Sequence, residues 1–429
     1  VSAPEVFIEP SAALPLVSVL IAFRSGSAHD PPGKEGLARS VARMLRRGAE
    51  GLSAQAIEEA IDALGGELAT GASMSATTVQ FEVIRRSLDR FVDLVATLLA
   101  KPAFDEAELG RLLREAEAEL VEAQDSDASL ASRAFRKTLF RDHVYGRRVA
   151  GRIQSLSTLT CADVRAFYER HYTRQNAVVA VSGAVTEAEA EAIAARLLAG
   201  LPEGASVADP APPPERRAGR HLVFVDKPAR TQTQMLVGGL GTDPRDADHF
   251  ALIVANTAFG GTFTSRLMQE VRAKRGWSYG ASSRVGFDRQ RDAFTMSTAP
   301  AATDAAACLT LELELLHALR EDGVTSAELE FVKRYIVRSH AFEIDTAKKR
   351  VHHKLEAALL GLPEGYHATY LAQIEAVPVD AAALAVRARL SEDDLVVSVV
   401  GTYAELGPAI EGAIPSLTSV EVLPFDFDA

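Results

Sequence analysis

Leu37, Val41, Met44 and Leu45 stand at i, i+4, i+7 and i+8 within the stretch Gly36–Gly48. That spacing places them on one side of a 3.6-residue turn and predicts a helix with a single apolar face. A strand-like run, Val17–Arg24, precedes it across a Ser/Gly/Asp/Pro-rich loop. Ser53–Leu64 reads as a second helix that Gly65-Gly66 stops. Thr77, Val79, Phe81 and Val83 recur at every second position, the signature of a strand with one buried face. Leu88–Leu99 is again helical in period. Asp105 with Glu108 then opens a long helix in the manner of a capping box, with the stripe Leu109, Leu112, Leu113, Ala116 and Leu120. Helix Cys161–His171, strand Asn176–Gly183 and helix Glu187–Leu198 follow.

The stretch Leu201–Arg220 holds five prolines and reads as a linker. Beyond it the pattern restarts: a strand over Thr231–Gly239, a loop, then a helix from about Asp246 to Phe259. Late in this half, Asp393–Gly401 repeats the plan of Gln175–Gly183. The chain therefore predicts an α+β fold of two repeats, residues 1–205 and 221–429, joined by a linker at 206–220. Each repeat is expected to be a mostly antiparallel sheet with helices packed on one face.

Length and composition narrow the function. A chain of 429 residues exceeds what one core supports. The formal charge of −12 and the lack of a basic run argue against nucleic acid as a partner. The longest apolar stretch, near Leu14–Phe23, is about half the roughly 20 residues a membrane span takes. Cys161 and Cys308 are too few for a disulfide framework or a cysteine zinc knuckle. No Gly-x-Ser-x-Gly elbow occurs, and the Gly238–Gly241 run lacks the lysine of a phosphate loop. The ten histidines are scattered, and the adjacent His352 and His353 diverge by about 100° on a helix.

Two stretches carry candidate chemistry. Arg39, Ala42 and Arg43 sit beside the apolar face of the Gly36–Gly48 helix, and Glu119 lies beside the stripe of the long helix. In the second half, Ser265–Lys274 reads as a short helix that Thr262 or Thr264 can cap and Gly276 stops. Leu267 and Val271 point inward from it. The chain then reverses into a strand from Trp277, which brings Arg272 and Tyr279 to one edge. Gly260 and Gly261 precede this unit and, lacking Cβ atoms, would let a peptide backbone approach; a plain turn explains them equally well.

Together these segments resemble the pitrilysin/insulinase-type inverzincin peptidases, whose zinc helix carries H-x-x-E-H. In that alignment Arg39 and Arg43 stand at the two histidine positions, Ala42 at the glutamate base and Glu119 at the third ligand. Guanidiniums cannot ligate zinc, so the resemblance implies a chain that holds no metal. Whether Arg39 and Arg43 pair with Glu119 or merely fill space is open from sequence. Asp142–Gly146 is similar to a recurring His-Pro-Tyr-Gly segment of the family, with Val144 for proline. The Arg272-x6-Tyr279 spacing and its Ser-Arg-Leu…Gln-Glu-Val-Arg…Lys-Arg-Gly setting resemble the family's substrate-binding and oxyanion-stabilising pair, which sits in the non-zinc half. The resemblance thus implies the non-zinc subunit of a two-subunit bacterial peptidase akin to mitochondrial processing peptidase. Its partner would be an H-x-x-E-H chain that holds the zinc, and its substrate a peptide or unfolded segment. The competing expectation is a catalytically inactive assembly or peptide-binding protein of the same fold. The start at Val1 hints at a removed leader and favours the periplasm over the cytoplasm.

Overall fold

The computed structural model describes residues 4–427. In the first half, strands β1 (Glu5–Pro10), β2 (Leu16–Phe23), β5 (Gly66–Ala72), β6 (Thr77–Ile84) and β7 (Ala177–Gly183) form one sheet in the order β1-β7-β2-β6-β5. A two-stranded ribbon, β3 (Gly48–Ala49) with β4 (Leu52–Ser53), stands apart. In the second half, β8 (Arg220–Asp226), β9 (Gln234–Leu240), β10 (Ala281–Phe287), β11 (Arg291–Thr298), β12 (Leu395–Gly401) and β13 (Leu417–Pro424) form the sheet β13-β8-β12-β9-β11-β10. The plan repeats strand for strand. β7 lies between a parallel β1 and an antiparallel β2, and β12 lies between a parallel β8 and an antiparallel β9. β6 and β5 answer to β11 and β10, and β13 is an addition to the second copy.

The compact units are not continuous in sequence. One comprises residues 1–120, 147–211 and 341–362; the other comprises 121–146, 212–340 and 363–429. They therefore differ from the expected ranges 1–205 and 221–429 by two exchanged segments. The reason is burial. In the first unit the side chains of Val19, Ile21, Val179 and Val181 face the main core, whereas Leu20, Ala22, Val178 and Ala180 face the other way. Helix Ala347–Leu360 covers that second face with Val351, Leu355 and Leu359. In the second unit, helix Asp127–Phe140 packs on β8, β9 and β12, and the Ser398 hydroxyl donates to the Ala131 carbonyl at 2.9 Å. Helices on one face alone thus do not describe the sheets; the central strands are covered on both sides. This is why β7 and β12 read as unbroken apolar runs instead of alternating ones.

The helix expected at Gly36–Gly48 runs from Leu37 to Met44, with Leu37, Val41 and Met44 buried. Gly36, at φ 96°, admits the left-handed entry. The buried Asp30 carboxylate accepts the Gly36 and Ala38 amides at 2.9 and 2.8 Å, which supplies the cap this helix otherwise lacks. Other sequence signals fall as read: Ser53 caps helix Ala54–Leu64, and Asp105 accepts from the Ala107 and Glu108 amides ahead of the long helix Glu106–Glu122. Among the described residues no helix is long and apolar enough to cross a membrane.

One core residue breaks the apolar rule. Glu312, on helix Ala305–Asp322, is fully buried near Cys308 and near Thr298 of β11. Burial pushes its carboxyl up to about 8, against the pull of the Thr298 hydroxyl. Because that value lies above the ordinary 4.5, the folded chain favours the protonated acid. Stability is therefore fully present below about pH 4.5 and declines as pH rises toward about 8, with a slope of at most about 1.4 kcal/mol per pH unit. We predict that Glu312→Gln removes this decline in urea denaturation at pH 5 and pH 8. Identical pH dependence in the variant and the wild type would contradict it.

Candidate functional site

In the first unit, helix Leu37–Met44 lies against the long helix through a ladder of charges. Arg39 Nη2 donates to Glu119 Oε2 at 2.8 Å, and Arg43 reaches Glu119 Oε1 and Oε2 at 2.9 and 3.2 Å. Arg43 also approaches Glu115 at 3.5 Å, and Arg47 holds Glu115 at 2.5 Å. Three of the four candidate positions on this side, Arg39, Arg43 and Glu119, are thus brought together, and Ala42 of the same helix is fully buried. Partial burial works to raise the Glu119 pKa. Hydrogen bonds and charge from Arg39 and Arg43 outweigh it and hold the carboxyl below the usual range. Each pair is half-exposed and contributes only about 0–1 kcal/mol. Sequence reasoning had Arg39, Arg43 and Glu119 but missed Arg47 and Glu115. The signal was present, since 39, 43 and 47 on one segment face 115 and 119 on another, all at a spacing of four.

The same corner closes a sheet edge. The Ser73 amide bonds the Ala76 carbonyl at 2.8 Å, so cross-strand bonding in the β5–β6 hairpin alternates from there. The backbone groups of Leu68, Thr70 and Ala72 consequently face the free edge. Arg46 donates to the Leu68 carbonyl at 2.7 Å and is itself gripped by both Glu58 oxygens at 2.7 and 2.8 Å. A strand added along β5 would find that carbonyl already taken. A cavity of about 490 Å³ beside it is lined by Arg43, Arg46, Arg47, Gln55, Glu58 and Thr70.

In the second unit the expected short helix is wider than an α-helix. Thr257–Gly261 and Met268–Lys274 are π-helical turns, a rare geometry frequent at functional sites. Leu267 and Val271 point inward as expected and are fully buried. The Thr262 and Thr264 hydroxyls bond each other at 3.3 Å instead of capping the helix. Gly276, at φ 65°, ends it, with its own amide on the Arg272 carbonyl and the Trp277 amide on the Val271 carbonyl. The reversal brings Arg272 and Tyr279 together: the guanidinium carbon lies 4.7 Å from the Tyr279 ring centroid and 4.7 Å from that of Phe263. Tyr279 is 88% exposed and lies two residues ahead of β10.

The other cations of this helical segment are matched. Arg266 holds Glu328 at 2.5 Å, and Lys274 and Arg275 share Glu270 at 2.5 and 2.7 Å. Arg272 alone on this segment has no hydrogen-bond or ion-pair partner for its side chain among the described residues. Its donors are free for a ligand oxygen. Gly260 is not an open approach for a peptide, which corrects that expectation. It is buried, and a Cβ there would meet the Ser283 amide at 2.3 Å, so this glycine serves close packing against β10. Gly261 is exposed.

Two further clusters were invisible in sequence. His171 Nδ1 lies 3.0 Å from Ser25 Oγ, and Asn176 donates to the same oxygen at 2.9 Å. Ser25 and Asn176 are fully buried, and burial, with the charge of His29, lowers His171 to about 4, so this trio is a neutral internal lock and not an accessible nucleophile. His317, Glu321 and Glu392 lie within reach of a common cation on the surface of the second unit, and His317 is already bonded to Glu392 at 2.8 Å.

These arrangements match known proteins along most of the chain. Residues 6–152 match the family described as insulinase (peptidase family M16), and residues 158–336 match the peptidase M16 inactive domain. An uncharacterized zinc protease of Mycobacterium leprae is 31% identical over 313 residues, which covers 72% of this chain and 69% of that protein. The chain belongs to peptidase family M16. The peptidase M16 inactive domain structure from Pseudomonas fluorescens superposes with a TM-score of 0.87 at 26% identity, covering 93% of this chain and 96% of that one. The periplasmic protease PqqL of Escherichia coli has the same fold at a TM-score of 0.77 and 16% identity, with 98% of this chain matching 50% of that chain. The Arg272 segment falls within the inactive-domain match, and the Arg39 helix within the insulinase match.

The zinc in the name of the Mycobacterium leprae relative does not fit the donors of this chain. Two of the three ligand positions carry guanidiniums, which have no lone pair to offer, and both oxygens of Glu119 are engaged by them. The three side chains already converge, so the ligand chemistry can be tested by substitution. We predict that Arg39→His combined with Arg43→His gains one zinc per chain by metal analysis after dialysis, and that adding Glu119→Gln abolishes the gain. The measurement is made with His317→Ala in all variants, so that the surface trio cannot supply the metal. No uptake by the double variant would show that the backbone geometry has drifted as well.

Proposed function

We propose that this M16 chain is the non-zinc subunit of a two-subunit zinc metallopeptidase. Its role is to present Arg272 and Tyr279 to a peptide bound at the zinc of an H-x-x-E-H partner. The observation that carries this reading is the free guanidinium of Arg272 beside an exposed phenol, in a chain whose own zinc positions are filled by ion pairs. The span of this chain, half of the E. coli periplasmic protease, accords with an activity that needs a second body of similar size. The partner's metal would supply the activated water. This chain's guanidinium would bind a peptide carbonyl and hold the backbone in place, and its phenol would donate to the oxygen that gains negative charge. The capped carbonyl on the edge of β5 supports the same division of labour, because strand addition there would have to displace Arg46.

The test is reconstitution with the H-x-x-E-H chain encoded nearest to this one. The single chain is expected to leave a quenched-fluorescent peptide uncut, and the mixture to cut it in a chelator-sensitive way. In the mixture, Tyr279→Phe should lower kcat by about 100-fold with little change in KM, since its hydrogen bond matters mainly in the transition state. Turnover by the single chain, or an unaffected kcat in Tyr279→Phe, would defeat the proposal. A stable mixture that cuts nothing would point to the assembly role.

A further inference from the structure

Phe263 is 66% exposed in a polar loop, and no core contact accounts for it. An isolated surface phenylalanine needs no explanation, but this one is not isolated. Its ring centroid lies 4.7 Å from the guanidinium carbon of Arg272, the same distance as the Tyr279 ring. Among the described residues Arg272 makes no ion pair, whereas Arg266, Lys274 and Arg275 around it are each held by a carboxylate. Nothing polar therefore fixes the orientation of its guanidinium, and two aromatic contacts are what remain to do so.

We propose that Phe263 is a positioning residue. With Tyr279 it clasps the Arg272 guanidinium and keeps its N–H edge turned toward an acceptor oxygen of a bound peptide. Cation–π attraction acts between the guanidinium and a ring face, and so leaves the in-plane N–H donors uncommitted. A carboxylate in the place of Phe263 would fix the same side chain but consume those donors. The aromatic clasp orders the arginine without occupying it, which lowers the conformational cost of each ligand bond.

The local backbone is built to hold the clasp. The Ser265 amide bonds the Thr262 carbonyl at 3.1 Å, which closes the turn that carries Phe263. Gly260, just upstream, packs its backbone on Ser283 of β10, and Ser283 Oγ donates to Asn256 Oδ1 at 2.7 Å. Tyr279 enters the same strand two residues before its start. Both rings are thus referred to one strand, and the guanidinium between them inherits its place. The close fit at Gly260 acquires a purpose here that does not require a peptide to touch it.

The proposal rests on the reading of Arg272 as substrate-binding, and the test separates the two. Phe263→Leu keeps the apolar bulk and removes the ring, whereas Phe263→Tyr keeps the ring. In the reconstituted peptidase, Phe263→Leu should lower kcat/KM about fivefold, Phe263→Tyr should restore it, and Phe263→Leu should add nothing in an Arg272→Ala background. In the full single chain, phenylglyoxal labelling followed by peptide mapping should show Arg272 reacting several-fold faster in Phe263→Leu and unchanged in Phe263→Tyr. The ion-paired Arg275 serves as the internal reference. Wild-type kcat/KM and labelling in Phe263→Leu, beside a crippled Arg272→Ala enzyme, would overturn the positioning role alone. Wild-type turnover in Arg272→Ala would overturn the substrate role of the arginine and this proposal with it.

Discussion

The central strands of each sheet must be covered on both faces, and much of the architecture follows from that need. β7 and β12 each have a parallel neighbour on one side and an antiparallel one on the other, and each is a valine-rich, almost wholly buried run with no exposed face. The helices nearest in sequence cover one face. Helix Ala347–Leu360 covers the other in the first unit, and helix Asp127–Phe140 does so in the second. Each covering helix comes from the opposite half of the sequence, so a cut at the linker would strip both sheets of cover. Fully burying a valine or leucine is worth about 1.5–3 kcal/mol, and the exchanged helices bury several. The same exchange explains the end of helix Glu106–Glu122. Leu109, Leu112, Ala116 and Leu120 anchor it in the first unit, and the chain leaves for the second immediately beyond.

Against that frame, charge pairing sorts the arginines by availability. Arg39, Arg43 and Arg47 are matched to Glu115 and Glu119, Arg46 to Glu58, Arg266 to Glu328, and Arg275 to Glu270. None of these pairs adds much stability at such exposure. Their effect is on ligand binding, because a guanidinium already on a carboxylate must exchange one acceptor for another. Arg272, held only by rings, makes no such exchange, and this marks it more firmly than its spacing to Tyr279 does.

Most of the elements were legible because local signals agree with the fold. The i, i+4 stripe of the Leu37–Met44 helix, the alternation of β6 and the cap at Ser53 each depend on nothing distant. The exchanged helices were not legible. Val351, Leu355 and Leu359 form an ordinary apolar stripe, and nothing local says which sheet it covers. The continuous apolar runs of β7 and β12 were the available clue that a second covering layer existed. At the site, the convergence of Arg39, Arg43 and Glu119 was open from sequence because it is a contact between helices 80 residues apart along the chain. Gly260 was misjudged for a related reason. A glycine that admits a ligand and a glycine that admits the backbone of another strand look alike until the neighbour, here Ser283, is known. Phe263 carried no signal at all, since its partner is nine residues away across a π-turn that 3.6-residue reasoning does not anticipate.

The two candidate sites have separate supports, so the state of one does not decide the state of the other. The Arg39–Glu119 corner is held by the stripe Leu37, Val41 and Met44 and by the arginine–glutamate ladder. The Arg272 clasp is held by Leu267, Val271 and the Gly260–Ser283 contact in the other unit. What distinguishes a working clasp from a leftover is that folding stability does not account for it. Rings at 88% and 66% exposure forgo most of the burial energy that justifies an aromatic residue in a soluble fold. An arginine with no anionic partner adds no ion pair in return. Two exposed rings and a free cation placed together stabilise the isolated chain very little. The same groups suit a surface that completes itself when a peptide oxygen arrives.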